Sequence, residues 1–143
     1  MKKKILSLVL LVALVLFTGC TVTTNNINKL SYKDYSSKIK NNDSFILYIG
    51  EKNSSLYKTL NDALNELNIE GYMINEDDLG DKELLEFRDK INYTGDTIVF
   101  IKNGVDPSTL SHLETGATKK EIINTINDFE YIATTSETAS VTE

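Results

Sequence analysis

The chain has 143 residues, a single cysteine, no tryptophan and a formal net charge of −6 at pH 7. A chain of this size holds one domain with one core, and its acidic balance argues against a nucleic-acid partner because like charges repel. One cysteine excludes an intramolecular disulfide and any metal site that needs several thiolates.

The first twenty residues resemble a bacterial lipoprotein signal. Lysines at positions 2–4 precede an uncharged, almost wholly apolar run over residues 5–17, as in secretory signals. The run is shorter than the about 20 apolar residues of a membrane-spanning helix. Phe17-Thr18-Gly19-Cys20 resembles a lipobox, whose cysteine receives a diacylglycerol. We therefore expect residues 1–19 to be removed and the lipid on Cys20 to enter the membrane; the alternative is an ordinary signal peptide.

Removal of residues 1–19 takes three lysines away, which changes the net charge from −6 to −9. The lipid, and not a basic patch, must then hold the protein on the extracytoplasmic face of the cell membrane. Residues 20–30 are rich in Thr and Asn and predict a flexible tether. Residues 133–143 are rich in Ser and Thr and predict a disordered tail. Residues 31–132 remain as the folded domain.

Helical and strand patterns alternate within that domain. Ser31 and Asp34 predict a short capped helix that ends near residues 41–43. The apolar run over residues 45–49 predicts a central strand covered on both faces. Leucines and alanine at helical spacing then predict a helix over residues 54–68.

The second half of the domain continues this alternation. Residues 72–74 predict a short strand, and Leu84, Phe87 and Ile91 line a predicted helix after Asp81. Residues 98–101 predict a third strand.

A turn, a returning strand and a last helix complete the domain. Asn103-Gly104 favours a hairpin turn, residues 109–114 predict the antiparallel return strand, and Thr118 with Glu121 predicts a capping box for the last helix. The order α-β-α-β-α-β-β-α predicts an α/β domain with a mixed sheet of about four strands packed between helices.

This element order and several local sequences resemble the thioredoxin fold over residues 31–131. Residues 97–104 are similar to the strand and turn that follow the cis-proline of that family. Gly116-Ala117 before a capped helix resembles its final strand-helix junction. Residues 45–50 resemble the strand before its redox loop, as written in the thioredoxin-like accessory proteins of bacteriocin systems. The resemblance implies a thioredoxin-like fold and an accessory role in a secretion or bacteriocin system.

The residues that perform redox chemistry in that family are replaced here. Its two cysteines correspond to Ser54 and Tyr57, and its cis-proline corresponds to Asp96. A serine hydroxyl lacks the accessible anion that makes a thiolate nucleophilic near neutral pH, and a cis bond before a residue other than proline costs ~3 kcal/mol or more. The resemblance therefore implies a member without catalytic residues or a cofactor.

The family's redox loop and cis-proline loop form a groove for extended peptide, which implies a binding site for an unknown protein or peptide. Tyr57 would be its aromatic anchor. In the alternative interpretation Ser54 only caps a helix and Tyr57 packs against a neighbour. The residues of the predicted groove are Asn53, Ser54, Tyr57, Gly95, Asp96 and Thr97.

Three other functions are alternatives to peptide binding. Ser54 as a hydrolase nucleophile lacks a GxSxG setting and has only His112 as a possible histidine partner. A domain that serves only as a spacer needs no site at all. A calcium loop would use Asn75, Asp77, Gly80, Asp81, Glu83 and Glu86. Its fifth position is Leu79, which has no oxygen ligand, so we favour a metal-free acidic turn with Asp81 as N-cap.

Overall fold

A computed structural model describes residues 25–105 and 112–139 of the chain. The predicted signal segment and Cys20 lie outside these residues. The elements, in chain order, are β1 (Ile27–Lys29), α1 (Tyr32–Lys40), β2 (Phe45–Ile49), α2 (Ser55–Leu67), β3 (Gly71–Ile74), a 3-10 turn (Glu76–Asp78), α3 (Asp81–Lys90), β4 (Thr97–Ile101), β5 (Leu113–Glu114) and α4 (Lys119–Ala139).

The strands form one mixed sheet in the order β1-β3-β2-β4-β5. β3 lies parallel to both β1 and β2, whereas β4 runs antiparallel to β2 and to β5. The predicted α/β class with a mixed sheet is confirmed. The predicted number of about four strands is wrong, because the described residues form five.

The additional strand, β1, falls in the segment for which the sequence predicts a tether. Asn26 fixes its start, since the side-chain amide donates to the carbonyl of Ile69 at 3.1 Å and the backbone N–H donates to Asn61 Oδ1 at 3.0 Å. Ile27 and Leu30 are only 2% and 7% exposed. A three-residue strand has too short a pattern to be recognised locally, and these contacts come from residues far along the chain.

Each face of the sheet carries its own hydrophobic core. Alternate residues of β2, such as Ile46 and Tyr48, pack with Leu60 of α2 and Ile122 of α4. The intervening residues, such as Leu47, pack on the opposite face with residues of α1 and α3. All five residues of β2 are buried, which confirms the predicted central strand covered on both faces.

Most predicted helix starts and turns are present. Ser31 Oγ accepts from Asp34 N–H at 3.1 Å, and Glu121 accepts from Thr118 N–H at 2.7 Å. Asn103 has the positive φ of 51° that the hairpin turn requires. The prediction of Asp81 as N-cap is wrong: the cap is Gly80, whose N–H donates to the Glu83 carboxylate at 3.2 Å.

The C-terminal part departs from its predicted boundaries. β5 comprises only Leu113–Glu114, and residues 109–111, the first half of the expected return segment, lie outside the described residues. α4 continues to Ala139, so residues 133–139 of the predicted disordered tail are helical. No helix within residues 25–105 and 112–139 has the length and apolar character needed to cross a membrane.

Candidate functional site

The fold brings the two predicted groove loops together at one edge of the sheet. β2 and β4 pair antiparallel with Ile49 opposite Thr97, so the end of β2 lies beside the start of β4. The loop after β2 (residues 50–54) and the loop before β4 (residues 92–96) are therefore neighbours. We call them the β2 loop and the β4 loop.

Asp96 links the two loops. Its Oδ1 accepts a hydrogen bond from Glu51 N–H at 3.4 Å, and the same carboxylate lies against Gly50, where a Cβ atom would come within 2.1 Å of Oδ1. Gly50 has φ +141°, a backbone conformation that favours glycine. No peptide bond in the described ranges is cis. The carboxylate of Asp96 thus holds the β2 loop in place.

Ser54 belongs to a hydrogen-bonded network at the base of the β2 loop. The Tyr48 hydroxyl donates to the carbonyl of Glu51 at 2.9 Å and lies 2.6 Å from Ser54 Oγ. Ser54 Oγ also accepts from the backbone N–H of Tyr57 at 3.0 Å, which makes Ser54 the N-cap of α2. Ser54 is thus the helix cap of the alternative interpretation, with its oxygen committed to structural bonds.

Tyr48 is poorly suited to activate Ser54. Its side chain is fully buried, and this burial, together with the negative charge of Asp96, raises the pKa of Tyr48 to about 12. A phenol with this pKa remains protonated near neutral pH. It cannot then accept a proton from a serine hydroxyl as a general base.

Tyr57 is a core residue. Its side chain is 5% exposed, and its ring meets that of Tyr48 edge-on at a centroid distance of 5.5 Å. The hydroxyl donates to Asn25 Oδ1 at 2.9 Å. Tyr57 therefore packs against a neighbour and presents no exposed ring that could anchor a partner.

The remaining residues of the predicted groove differ in accessibility. Asn53 and Gly95 are exposed, and Asp96 is half-buried. Thr97 is fully buried, and its hydroxyl donates to the carbonyl of Gly95 at 3.2 Å. A partner would thus meet mainly the tips of the two loops.

A cavity of about 340 Å³ lies beside the β2 loop, between the ends of β1 and β3 and the start of α2. No sequence pattern indicates this cavity, because its β1 residues fall in the predicted tether and no motif marks them. Its lining residues are Asn25, Ile27, Lys29, Lys52, Tyr57, Met73, Asn75 and Asp78.

The acidic turn after β3 uses its carboxylates in separate structural pairs. Arg88 binds Glu76 through two hydrogen bonds of 2.7 and 2.8 Å, which hold the pKa of Glu76 below its usual value. Asp78 pairs with Lys29 at 2.9 Å, and Glu86 accepts from the Tyr32 hydroxyl at 2.8 Å. Within the described ranges no group of three His, Cys, Asp or Glu side chains is arranged to hold a metal ion.

The raised pKa of Tyr48 predicts a loss of stability at alkaline pH. Tyr48 titrates at about 12 in the folded protein instead of its ordinary 10.0. The contribution of the Tyr48 hydroxyl to the free energy of unfolding is therefore complete below pH 10.0. It is lost as the pH rises from 10.0 to about 12. The loss is on the order of 2 kcal/mol.

Denaturant unfolding of wild type and Tyr48→Phe across this interval measures that contribution. The free energy of unfolding of the variant should fall less steeply with pH than that of the wild type, since the variant lacks the titrating hydroxyl. Parallel curves for the two proteins would contradict the assignment to Tyr48.

Comparison with known proteins adds no assignment to this geometry. No protein-family model matches the chain, and a search of the curated proteins finds no match.

Proposed function

We propose that this chain is a membrane-anchored, extracytoplasmic lipoprotein whose non-catalytic, thioredoxin-like domain binds a protein or peptide partner at the tips of the β2 and β4 loops. The observation that carries the proposal is the link between Asp96 and the β2 loop, with Glu51 N–H at 3.4 Å from the carboxylate. This hydrogen bond holds two exposed loop tips side by side. Neither loop contains a cysteine.

The thioredoxin-like part of the proposal is supported by topology. After β1, the elements follow the order α-β-α-β-α-β-β-α, which is the order on which the family resemblance rests. The strand before the β2 loop is central, and the late pair of strands, β4 and β5, is antiparallel. These features suit a fold in which the β2 and β4 loops form one surface.

The non-catalytic part is supported by the state of Ser54. Its oxygen accepts from the N–H of Tyr57 and lies 2.6 Å from the Tyr48 hydroxyl, so a substrate would have to displace structural bonds to reach it. The nearby phenol is protonated near neutral pH. A hydrolase with Ser54 as nucleophile is therefore the less favoured function.

Membrane attachment would place the domain close to the bilayer. Seven peptide steps separate Cys20 from Ile27, the first residue of β1. An extended chain covers about 3.4 Å per residue, so this connection can span at most about 25 Å. The preferred partner is accordingly one that reaches the extracytoplasmic membrane surface.

Photo-crosslinking in living cells tests the proposal. One probe replaces Asn53 on the β2 loop and another replaces Thr94 on the β4 loop, with a control probe at Lys120 on α4; all three positions are exposed. We expect the same partner to be captured from both loops in the membrane fraction, and not from position 120. The Cys20→Ser variant should lose the membrane location.

Other results would count against the proposal. Capture from neither loop, or equal capture from all three positions, would favour a domain that acts only as a spacer. Retention of the Cys20→Ser variant in the membrane fraction would contradict the lipid anchor. Turnover of an ester substrate that disappears in Ser54→Ala would replace binding with hydrolysis.

A further inference from the structure

The outer edge of β1 is occupied by a side chain of the same segment. The backbone of Asn26 and Leu30 bonds to β3, through Gly71 N–H to Asn26 O and Leu30 N–H to Met73 O, both at 2.8 Å. Because hydrogen-bonding direction alternates along a strand, the backbone groups of Ile27 and Lys29 point away from β3. β1 is thus an edge strand, and no other strand of the described residues pairs with its outer side.

The side chain of Asn25 occupies the outward-pointing backbone groups of Ile27. Its side-chain amide donates to the carbonyl of Ile27 at 3.1 Å and accepts from the N–H of Ile27 at 3.4 Å. A side-chain amide carries the same donor and acceptor groups as a peptide bond. Asn25 therefore makes the two hydrogen bonds that an added strand would make at this position. The Tyr57 hydroxyl, 2.9 Å from Asn25 Oδ1, holds the amide in place.

We propose that the outer edge of β1 binds an extended peptide by strand addition, and that Asn25 covers this edge while no peptide is bound. This edge is a second binding surface, separate from the tips of the β2 and β4 loops, so the inference goes beyond the proposed function. Strand addition obtains affinity from backbone hydrogen bonds, and alternate side chains of the peptide provide specificity.

The cavity beside β1 indicates which peptide fits. Ile27 and Met73 face α2, so every second side chain of an added strand would project over the cavity of about 340 Å³ that these residues line. Lys29 is paired with Asp78 at 2.9 Å. Lys52 is exposed and makes no hydrogen bond or ion pair with another described residue. Its ammonium group is available to a carboxylate, which favours an acidic peptide.

Panning of a phage-displayed library of random linear peptides against the full-length protein tests this inference. Enriched peptides should carry Asp or Glu. They should bind Asn25→Ala about tenfold more tightly than wild type, because the peptide no longer has to displace the two hydrogen bonds of the amide. Tyr57→Phe should show a smaller gain in affinity, since it loosens the amide without removing it.

A matched pair at Lys29 locates the bound strand. Lys29→Pro removes the outward N–H at a position where an edge strand tolerates proline, and it should abolish binding. Lys29→Ala loses the same ion pair with Asp78 but keeps the N–H, so its affinity should stay within about twofold of wild type. If Lys29→Pro fails to fold, N-methylated versions of an enriched peptide test the same bonds on the wild-type protein.

Several outcomes overturn the inference. These are equal binding to both Lys29 variants, no gain for Asn25→Ala, or no peptide enriched above a blank surface. Dimerisation of Asn25→Ala in place of peptide binding would make a second copy of the chain the occupant. None of these results affects crosslinking from the β2 and β4 loops, so failure of this edge and failure of the proposed function are distinguishable.

Discussion

Replacing Gly50 with alanine should destabilise the protein by about 3 kcal/mol or more, through backbone strain and overpacking. At φ +141° the new methyl group would lie 2.1 Å from Asp96 Oδ1 and 2.7 Å from the Tyr48 hydroxyl. Both neighbours are tied to the β2 loop by hydrogen bonds, so the loop must shift. Chemical denaturation of wild type and variant measures the loss.

Two further variants separate steric contact from backbone strain. Gly116→Ala also introduces a side chain at positive φ, +103°, but no atom of the described residues beyond its two chain neighbours lies within 4 Å of the new Cβ, so its cost should be clearly smaller. Asp96→Ala should recover part of the stability of Gly50→Ala, since it removes the nearer obstacle. Equal losses for the two glycine variants, with no recovery, would mean that the contact with Asp96 does not constrain the loop.

Replacing Phe87 with alanine should cost about 3 to 5 kcal/mol, the range for a large aromatic side chain removed from a core. Phe87 is fully buried, and its ring meets those of Tyr35 at 5.1 Å and Tyr93 at 5.7 Å. The substitution leaves a cavity between α1, α3 and the segment before β4. Thermal and denaturant unfolding measure the effect.

Leu85→Ala is the matched control, because Leu85 lies two residues away on the same helix and is 71% exposed. Its free energy of unfolding should change by no more than about 0.5 kcal/mol, as for most surface substitutions. A loss for Leu85→Ala as large as that for Phe87→Ala would show that α3 packs through a different face.

The sequence alone predicted those features whose causes lie within a few residues. An uninterrupted apolar run marked β2, and leucines at helical spacing marked α2. Caps such as Thr118 with Glu121 join residues three positions apart, and the Asn103-Gly104 turn depends on the conformational freedom of its own two residues. The α/β class followed from these local signals and their order, whereas the adjacency of the two candidate loops was implied by the resemblance to the thioredoxin fold.

The tertiary structure decided which of those side chains are exposed. Tyr57 is a residue type that often anchors a partner, but here it is buried against Tyr48. Its hydroxyl donates to Asn25, which lies 32 positions earlier in the chain. Asp96 accepts a hydrogen bond from Glu51 of the β2 loop, which lies 45 positions earlier in the chain. Neither contact produces a periodic pattern in the sequence, because each depends on the order of the strands in the sheet.

β1 also depends on tertiary contacts that its local sequence does not reveal. Its three residues form a strand because Asn26 bonds to α2 and to the segment before β3, and Ile27 fills space under α2. The composition of the segment is typical of a tether, and its intrinsic preference for a strand is low. Burial and hydrogen bonding to distant residues outweigh that preference, so only the assembled fold determines where the sheet begins.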